Sequence, residues 1–351
     1  MLVGPSQRQE KRMYISGVQT VLPDHRYEQA EITEAFCQVT DADPELIKRF
    51  HEATGVRGRN LALPLEDYAK LDSFTRANEQ YVDIALDLSE RAARGALAKA
   101  GVTPGKVDLL VFCSSTGLAT PSLDARLAQR AGLRPDVRRL PMFGLGCAAG
   151  AAGLSRLRDY LRGWPGHVAL LVCVELCSLT VQRDDDSVAN LIASGLFGDG
   201  AAAVVASGRG HGREVVATRS KLYPGTQHLM GWKIGEHGFR IMLDPGLTDF
   251  VGQVLGGDVR SFLADHGHTP EQVGTWICHP GGPRVIEKIT ESLGLPEEAL
   301  AVTWRSLREH GNLSSVSVLH VLQETRGLTG EPAVLMALGP GFSAELLLLH
   351  W

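Results

Sequence analysis

An internal repeat is the feature that most constrains the fold of this chain. The pattern Gly-x-Thr-Pro-x-x-Val occurs at residues 101–107 and again at 267–273, and each copy leads into a short apolar run, LLVFC or TWIC. The two copies lie 166 residues apart at their valines and 165 apart at the cysteines that end the apolar runs, Cys113 and Cys278. A repeat with so long a period predicts a duplicated domain rather than a solenoid.

The repeat continues beyond these runs. Cys147 lies 34 residues after Cys113, and Asn312 lies 34 residues after Cys278. Each of these two residues opens a stretch with helical periodicity, so they occupy equivalent positions in the two halves. If the halves pack about a pseudo-twofold axis, the two helix starts can face one another. His279, directly after the second apolar run, would then reach the same point.

The order of elements predicts an α/β protein. Helical periodicity in residues 82–100 and 251–266 is followed in each case by a turn and a short run that has the character of a buried strand. We expect an N-terminal half, residues 1–210, that carries the cysteine, and a C-terminal half, residues 211–351, that carries the histidine and the asparagine. The break between the halves is expected near residues 206–215.

Charge and cysteine usage exclude several classes of function. The net charge is −5 without a basic block, so nucleic acid and anionic membranes are not expected partners. No uncharged apolar run reaches the roughly 18 residues of a membrane span. The first 13 residues are polar and predict no signal peptide. The six cysteines form no CxxC pair, so we expect no metal site and a reducing, cytoplasmic location.

Three residues suggest chemistry when they are taken together. Cys147 lies in GLGCAAGAAG at a helix start, where free N–H groups favour a thiolate. His279 lies in the loop CHPGGP, and Asn312 lies in HGNLSS. Alone, each has an ordinary structural interpretation as a buried thiol, a loop histidine or an N-cap. Together they suit acyl transfer, with an imidazolium stabilising the thiolate and two donors stabilising an oxyanion or a malonyl-derived enolate.

Five motifs carry a family resemblance. They are GLGCAAG around Cys147, GLFGDGAA at 195–202, HPGGP at 279–283, GNLSS at 311–315 and GPG at 339–341. In this order, from about residue 13 to the end, they resemble the type III polyketide synthases, chalcone-synthase-like members of the thiolase superfamily. The resemblance implies a duplicated five-layered αβαβα thiolase fold and a homodimer. It also implies acyl-CoA and malonyl-CoA as substrates, with no further cofactor.

The resemblance also assigns roles by position. It makes Cys147 the acyl-accepting nucleophile, His279 the residue that holds the thiolate and the thioester carbonyl, and Asn312 its partner in malonyl decarboxylation. Phe197 matches a gatekeeper between the CoA tunnel and the cavity, and Phe239 matches a second one. The positions that match the lining of the active site are Cys177, Thr180, Ser314, Ser115 and Thr116.

Three further positions are assigned in the same way. Thr120, in GLATP, matches a residue that reaches across the dimer interface. Arg57 and Arg59, in GVRGR, are expected to pair with CoA phosphates.

Departures from the family pattern bear on the product. Bacterial tetrahydroxynaphthalene synthases tend to carry a cysteine in the loop that here contains Ser114 and Ser115, which counts against an all-malonyl naphthalene product. The plant stretch CxxxTFRGP is replaced by CSLTVQRDDDS. The sequence instead resembles actinobacterial alkylpyrone, germicidin and alkylresorcinol synthases. We therefore expect a fatty-acyl starter, extension by malonyl-CoA or an alkylmalonyl-CoA, and a pyrone or resorcinol product.

Other interpretations remain open. A β-ketoacyl carrier-protein synthase III shares the Cys/His/Asn set but usually has glutamine where Pro280 stands here. A hydroxymethylglutaryl synthase would need a catalytic glutamate in a motif that this chain lacks. A non-catalytic acyl-CoA-binding protein would not need the intact set, and a cysteine hydrolase would leave the asparagine and the duplication unexplained.

Overall fold

The structure is a computed structural model that describes residues 12–210, 212–327 and 330–351. Most of the polar N-terminal stretch on which the signal-peptide expectation rests lies outside these residues. No helix within the described ranges is long and apolar enough to cross a membrane.

The described residues contain thirteen strands and eleven α-helices. The strands are β1 (Tyr14–Val21), β2 (His25–Glu28), β3 (Gly58–Leu61), β4 (Leu109–Cys113), β5 (Arg138–Met142), β6 (Val168–Leu176), β7 (Asp199–Ser207), β8 (Arg213–Leu222), β9 (Met230–Gly235), β10 (Gly238–Leu243), β11 (Thr275–Cys278), β12 (Pro332–Gly339) and β13 (Ser343–His350). The helices are α1 (Gln29–Cys37), α2 (Pro44–Ala53), α3 (Leu65–Tyr68), α4 (Phe74–Ala100), α5 (Leu123–Arg130), α6 (Ala149–Gly163), α7 (Val188–Leu196), α8 (Leu247–Ala264), α9 (Pro283–Leu293), α10 (Ala301–His310) and α11 (Ser317–Glu324).

Strand pairing confirms the duplication. Nine strands form one mixed sheet in the order β11-β12-β13-β8-β1-β7-β6-β4-β5. The sequence β4-β6-β7-β1 in one half mirrors β11-β12-β13-β8 in the other, with β1 and β8 joined at the centre. In both halves the first pair is parallel and the next two pairs are antiparallel. Thus the strands that contain the repeated cysteines, β4 and β11, are equivalent.

Side-chain alternation along the strands sorts the core into layers. On β4, Leu110 and Phe112 pack with α4 on the outer face, whereas Leu109 and Val111 pack with the central helices. The central helices α6 and α11 contact strands of both halves, and α8 packs on the outer face of the C-terminal half. Because successive side chains on a strand point to opposite faces, each half of the sheet can bury two apolar layers. The result is the expected αβαβα order.

The two central helices begin at the same place. A 3-10 turn, Gly146–Ala148, leads into α6, and a second one, Ser314–Val316, leads into α11, and the two turns pack together. The approach is close, because a Cβ atom on Gly150 would lie 2.3 Å from the carbonyl oxygen of Ser315. The expectation that the two helix starts face each other is therefore confirmed.

This contact generates a stability prediction. Gly150→Ala should lower the free energy of unfolding by about 3 kcal/mol, because the added methyl group must push the backbone of Ser315 away. Gly163→Ala, on the same helix with open space around its Cβ, should be neutral or stabilise by up to about 1 kcal/mol. Urea unfolding followed by circular dichroism measures both variants. Equal midpoints for the two would contradict the proposed close packing.

Candidate active site

The Cys147 thiol lies in the turn before α6 and is 4% exposed. Its Sγ atom is 3.7 Å from the hydroxyl oxygen of Ser314, across the junction of the two halves. Burial and the nearby Glu175 carboxyl group raise the pKa of the thiol to about 12, although hydrogen bonding with Ser314 and Asn312 opposes the rise. Burial and the nearby carboxyl group therefore favour the protonated form of the Cys147 thiol.

His279 follows β11 directly and is 4% exposed. Its backbone N–H donates to the carbonyl oxygen of Met336 at 2.9 Å, which continues the β11–β12 pairing. Both ring nitrogens are buried and lack a hydrogen-bond partner among the residues that the structure describes. Burial lowers the pKa of the imidazole to about 3, so the ring is neutral. The resting site thus differs from the expected thiolate–imidazolium pair, because removal from water penalises both charges.

Asn312 ties the two halves together at the site. Its backbone N–H donates to Leu196 at 2.8 Å, and its carbonyl accepts from Gly198 at 3.0 Å. Its side-chain Nδ2 donates to the carbonyl of Gly281 at 3.2 Å, in the loop that begins at His279. The side-chain oxygen accepts from the backbone N–H two residues on, at 2.8 Å. The N-cap interpretation was thus partly correct, since this is an Asx-type bond within the turn that precedes α11.

A buried carboxyl group beneath the thiol was missed by sequence reasoning. Glu175, near the end of β6, is 0% exposed. It accepts hydrogen bonds from the hydroxyl of Ser315 at 2.7 Å and from the hydroxyl of Ser115 at 3.2 Å. It also accepts from Ser314 at 3.4 Å. Burial raises its pKa, and these donors oppose the rise. The available signal was a single charged residue in the otherwise apolar run VALLVCVEL.

A cavity of about 400 Å³ lies on the other side of Cys177, and neither Cys147, His279 nor Asn312 lines it. Of the sequence-predicted residues, the cavity is lined by Phe197, Phe239, Cys177, Thr180, Thr116 and Arg59. The thiol of Cys177 is close enough to Cys147 for one charge to raise the pKa of the other. No three His, Cys, Asp or Glu side chains come together as metal ligands in the ranges that the structure covers.

Two residues that the sequence predicts in the lining of the active site do not line the cavity. Ser115 and Ser314 are 3% and 5% exposed, and both hydroxyls point to Glu175 rather than into the cavity. They belong to the polar cluster under the thiol. The sequence could not distinguish these two locations, because one turn in the backbone of each loop decides which way the hydroxyl points.

Phe239, the predicted second gatekeeper, lines the cavity and is held by aromatic neighbours. Phe239 is 2% exposed and packs edge-to-face against Phe74 and Trp232, with ring centroids 5.7 and 5.9 Å away. The amide of Gln182 donates to the backbone carbonyls of Phe239 and Thr180 at 3.2 Å. This side chain therefore ties the β9–β10 hairpin to the segment that lines the cavity.

The structure corrects the expectation for Arg59. Its side chain is 2% exposed, and it donates to the carbonyl of Ser194 at 2.8 Å, to the carbonyl of Phe197 at 2.5 Å and to the side chain of Gln29 at 3.2 Å. A guanidinium that is buried and bonded in this way cannot pair with CoA phosphates in solvent. Arg57 and Thr120 are both exposed, and their assigned roles remain predictions.

Comparisons with known proteins find relatives along the whole chain. The models for the N-terminal and C-terminal domains of chalcone and stilbene synthases match residues 3–209 and 214–351. A 1,3,6,8-tetrahydroxynaphthalene synthase of Streptomyces peucetius subsp. caesius is 53% identical over 100% of this chain and 98% of its own. An α-pyrone synthesis polyketide synthase-like protein of Mycobacterium tuberculosis is 31% identical over 95% of this chain and 90% of its own.

A solved structure of a related protein has the same fold as this chain. The 1,3,6,8-tetrahydroxynaphthalene synthase of Streptomyces coelicolor A3(2), a bacterial type III polyketide synthase, superposes with a TM-score of 0.92 at 30% identity. The match covers 96% of this chain and 99% of that one.

The Glu175 cluster generates a prediction about the thiol. Glu175→Gln should lower the pKa of Cys147, because it removes a negative charge that opposes the thiolate. The rate of alkylation by iodoacetamide, followed by mass spectrometry across pH, should rise at a lower pH than in the wild type. Glu345→Gln is the matched control, because Glu345 is also buried but does not contribute to the pKa shift of Cys147. An unchanged profile in Glu175→Gln would contradict the coupling.

Proposed function

The chain belongs to the chalcone and stilbene synthase family of type III polyketide synthases, and on that premise we propose that it joins malonyl units into a polyketide on the thiol of Cys147. As a member of this family it is an enzyme that forms carbon–carbon bonds by acyl transfer. The observation that carries the proposal is the convergence of Cys147 and Asn312 from the two halves of the chain, with His279 at the start of the loop that Asn312 contacts.

The chemistry follows from these groups. The thiol of Cys147 gives its proton to the imidazole of His279 as the sulfur attacks a CoA thioester, and CoA leaves as the thiol. A malonyl thioester then loses CO₂, and the enolate oxygen is stabilised by donors from Asn312 and His279. The enolate carbon attacks the acyl group on Cys147, which lengthens the chain by two carbons. Decarboxylation generates the carbanion, so this step needs no separate base.

We propose that malonyl-CoA is both starter and extender, and that the product is a tetrahydroxynaphthalene-type aromatic. A relative named for that product is 53% identical over the whole chain, which opposes the expectation of a fatty-acyl starter. Ser114 and Ser115 weigh little against this product. The hydroxyl of Ser114 accepts from Tyr81 and the hydroxyl of Ser115 donates to Glu175, and neither residue lines the cavity.

An acyl starter with a pyrone product is the second candidate. It is favoured by the apolar side chains along one part of the cavity, which include Ile32, Phe36, Leu65 and Leu71. A relative named for α-pyrone synthesis is 31% identical. Such a wall would accept an alkyl chain without leaving polar groups unpaired.

The other interpretations are weaker. Pro280 stands where a carrier-protein synthase III usually has glutamine, and this family assignment covers both halves of the chain. A non-catalytic acyl-CoA-binding protein or a hydrolase would have no use for an asparagine held beside the thiol.

One experiment tests the function and distinguishes the two products. The purified protein is given malonyl-CoA alone, or with acetyl-, hexanoyl- or lauroyl-CoA, and CO₂ and products are measured. We expect CO₂ and an aromatic product from malonyl-CoA alone. Cys147→Ala should abolish the acyl-enzyme seen by mass spectrometry, whereas Cys113→Ala, at a buried cysteine of β4, should retain it. No CO₂ with any starter would refute the synthase, and a product only with an acyl-CoA would favour the second candidate.

The family's dimeric assembly is proposed for this chain on an exposed apolar patch. Leu118 and Phe143, which follow the adjacent strands β4 and β5, are 39% and 51% exposed, and Leu140 on β5 is 40% exposed. Thr120 is exposed in the same loop as Leu118. A patch of this kind, beside an edge strand, is typical of a protein–protein interface. We propose that it forms a homodimer and that Thr120 faces the partner's cavity.

The dimer generates a further prediction. Phe143→Glu should weaken the dimer by about 2 kcal/mol or more, since it buries a charge at the centre of the patch. Val188→Glu changes a residue that is 52% exposed at the start of α7, and it should leave the dimer intact. Light scattering after size exclusion measures the mass of each. A wild type that is monomeric, or two variants that behave alike, would contradict this interface.

A further inference from the structure

A hydrogen-bonded chain of three side chains leads from the cavity wall to a buried carboxyl group. Tyr68, at the end of α3, lines the cavity together with Cys177 and Phe197. Its hydroxyl oxygen is 2.5 Å from the hydroxyl oxygen of Ser178, which in turn donates to a carboxylate oxygen of Asp199. None of the three has a part in the condensation described above, so their connection needs its own account.

Asp199 is held firmly and has a charged environment. One carboxylate oxygen accepts from the backbone N–H of Ser178 at 2.9 Å, and the other accepts from the backbone N–H of Ala62 at 2.7 Å. The ionisable groups around it are Arg59, Tyr68 and Cys177. Burial raises the pKa of Asp199 to about 6, and the hydrogen bonds and Arg59 oppose the rise. The carboxyl group can therefore take up and release a proton near neutral pH.

The hydrogen bonds that link Tyr68, Ser178 and Asp199 can point in either of two directions, depending on where the protons lie. When Asp199 is a carboxylate, Ser178 donates to it and Tyr68 donates to Ser178. The phenol oxygen of Tyr68 accepts from the backbone N–H of Leu63 at 3.3 Å and has one further lone pair for the cavity. When Asp199 is protonated, each bond reverses, and the O–H of Tyr68 is released to donate into the cavity.

We propose that Tyr68 is a catalytic residue that moves a proton during ring closure of the polyketide, and that Ser178 and Asp199 store that proton. This inference rests on the proposed function, because only a polyketide in the cavity supplies the reacting groups. Ring closure of a poly-β-ketone onto one of its own ketones needs one proton removed from carbon and one added to oxygen.

The step balances without another reactant. A C–H proton between two carbonyls moves to the phenol oxygen of Tyr68, the phenol proton moves to Ser178, and the proton of Ser178 moves to Asp199. The electron pair of the broken C–H bond forms the new carbon–carbon bond to the ketone, whose oxygen becomes an alkoxide. The same transfers then run backwards, and the alkoxide takes the O–H proton of Tyr68. Asp199 is a carboxylate again.

The test separates condensation from ring closure. Wild type, Tyr68→Phe and Ser178→Ala are given malonyl-CoA, and cyclised product is measured per CO₂ released. Both variants should still release CO₂, and their cyclised product per CO₂ should fall about a hundredfold. Uncyclised acids and their simple lactones should take its place. Ser178→Ala keeps the tyrosine but breaks the chain to Asp199, so it distinguishes proton transfer from loss of the ring hydroxyl alone.

The control is a matched tyrosine. Tyr81 is 2% exposed and donates to Ser114 at 2.8 Å, and it does not line the cavity. Tyr81→Phe should keep the wild-type ratio of product to CO₂. In the wild type this ratio should fall below about pH 6, where Asp199 can no longer accept a proton, and in Tyr68→Phe the fall should be absent.

Each outcome is informative. CO₂ from Tyr68→Phe with an unchanged ratio and an unchanged pH dependence would overturn the inference and leave the proposed function standing. No CO₂ from the wild type would overturn the proposed function, and this inference with it. If Tyr68→Phe fails to fold by circular dichroism, Ser178→Ala decides by the same ratio.

Discussion

The whole site depends on the close contact between the starts of α6 and α11. Gly150 faces a backbone carbonyl of the opposite turn, and Gly339 lies against the backbone of the turn that carries Cys147, with 2.6 Å from its Cβ position to the carbonyl oxygen of Leu145. Side chains at these two positions would separate the halves. Because the contact is made by backbone, it leaves little freedom for either turn. The thiol and the amide of Asn312 therefore keep a fixed relation although they come from opposite halves of the chain.

Strand register and side-chain alternation explain where the two buried carboxyl groups lie. Glu175 on β6 and Asp199 on β7 are near each other, since Leu176 pairs with Asp199 in the register of the two strands. The alternation of a strand puts Glu175 on the face of the central helices, and it puts Leu176 and Asp199 on the opposite face. One carboxyl group is thus beside the thiol of Cys147 and the other is beside Tyr68. The pleat of the strands places the two acids on opposite sides of one sheet.

The sequence predicted the architecture well because the two halves repeat the same residue spacings. Equal distances from Cys113 to Cys147 and from Cys278 to Asn312 survive in the fold as equivalent strands and equivalent helix starts. Side-chain direction was not predictable to the same degree. Arg57 and Arg59 are two residues apart in one motif, yet the first is exposed and the second is buried, because the second finds carbonyl acceptors on the loop that ends at Phe197.

Hydrogen-bonded clusters of side chains from distant parts of the chain could not be predicted from the sequence either. Nothing near Tyr68 in the chain indicates that its hydroxyl meets Ser178, which is 110 residues away. The polar cluster around Glu175 likewise gathers three hydroxyl groups from two separate segments, the loop after β4 and the turn before α11. Such clusters form only when strands and turns from distant parts of the chain end at one place.

The neutral state of the Cys147 thiol follows from burial and bears on the substrate choice of the proposed function. A thiol and an imidazole that are both removed from water stay uncharged until a reaction partner offers compensation. The amide of Asn312 is bonded to Gly281 at 3.2 Å, at the long end of the range for such bonds, so exchanging it for a developing oxyanion costs little. The imidazole nitrogens have no described partner to lose. In the proposed function, a thioester that placed its oxygen between these groups would stabilise the charges that burial disfavours, whereas a small electrophile that could not do so would meet a thiol of low reactivity.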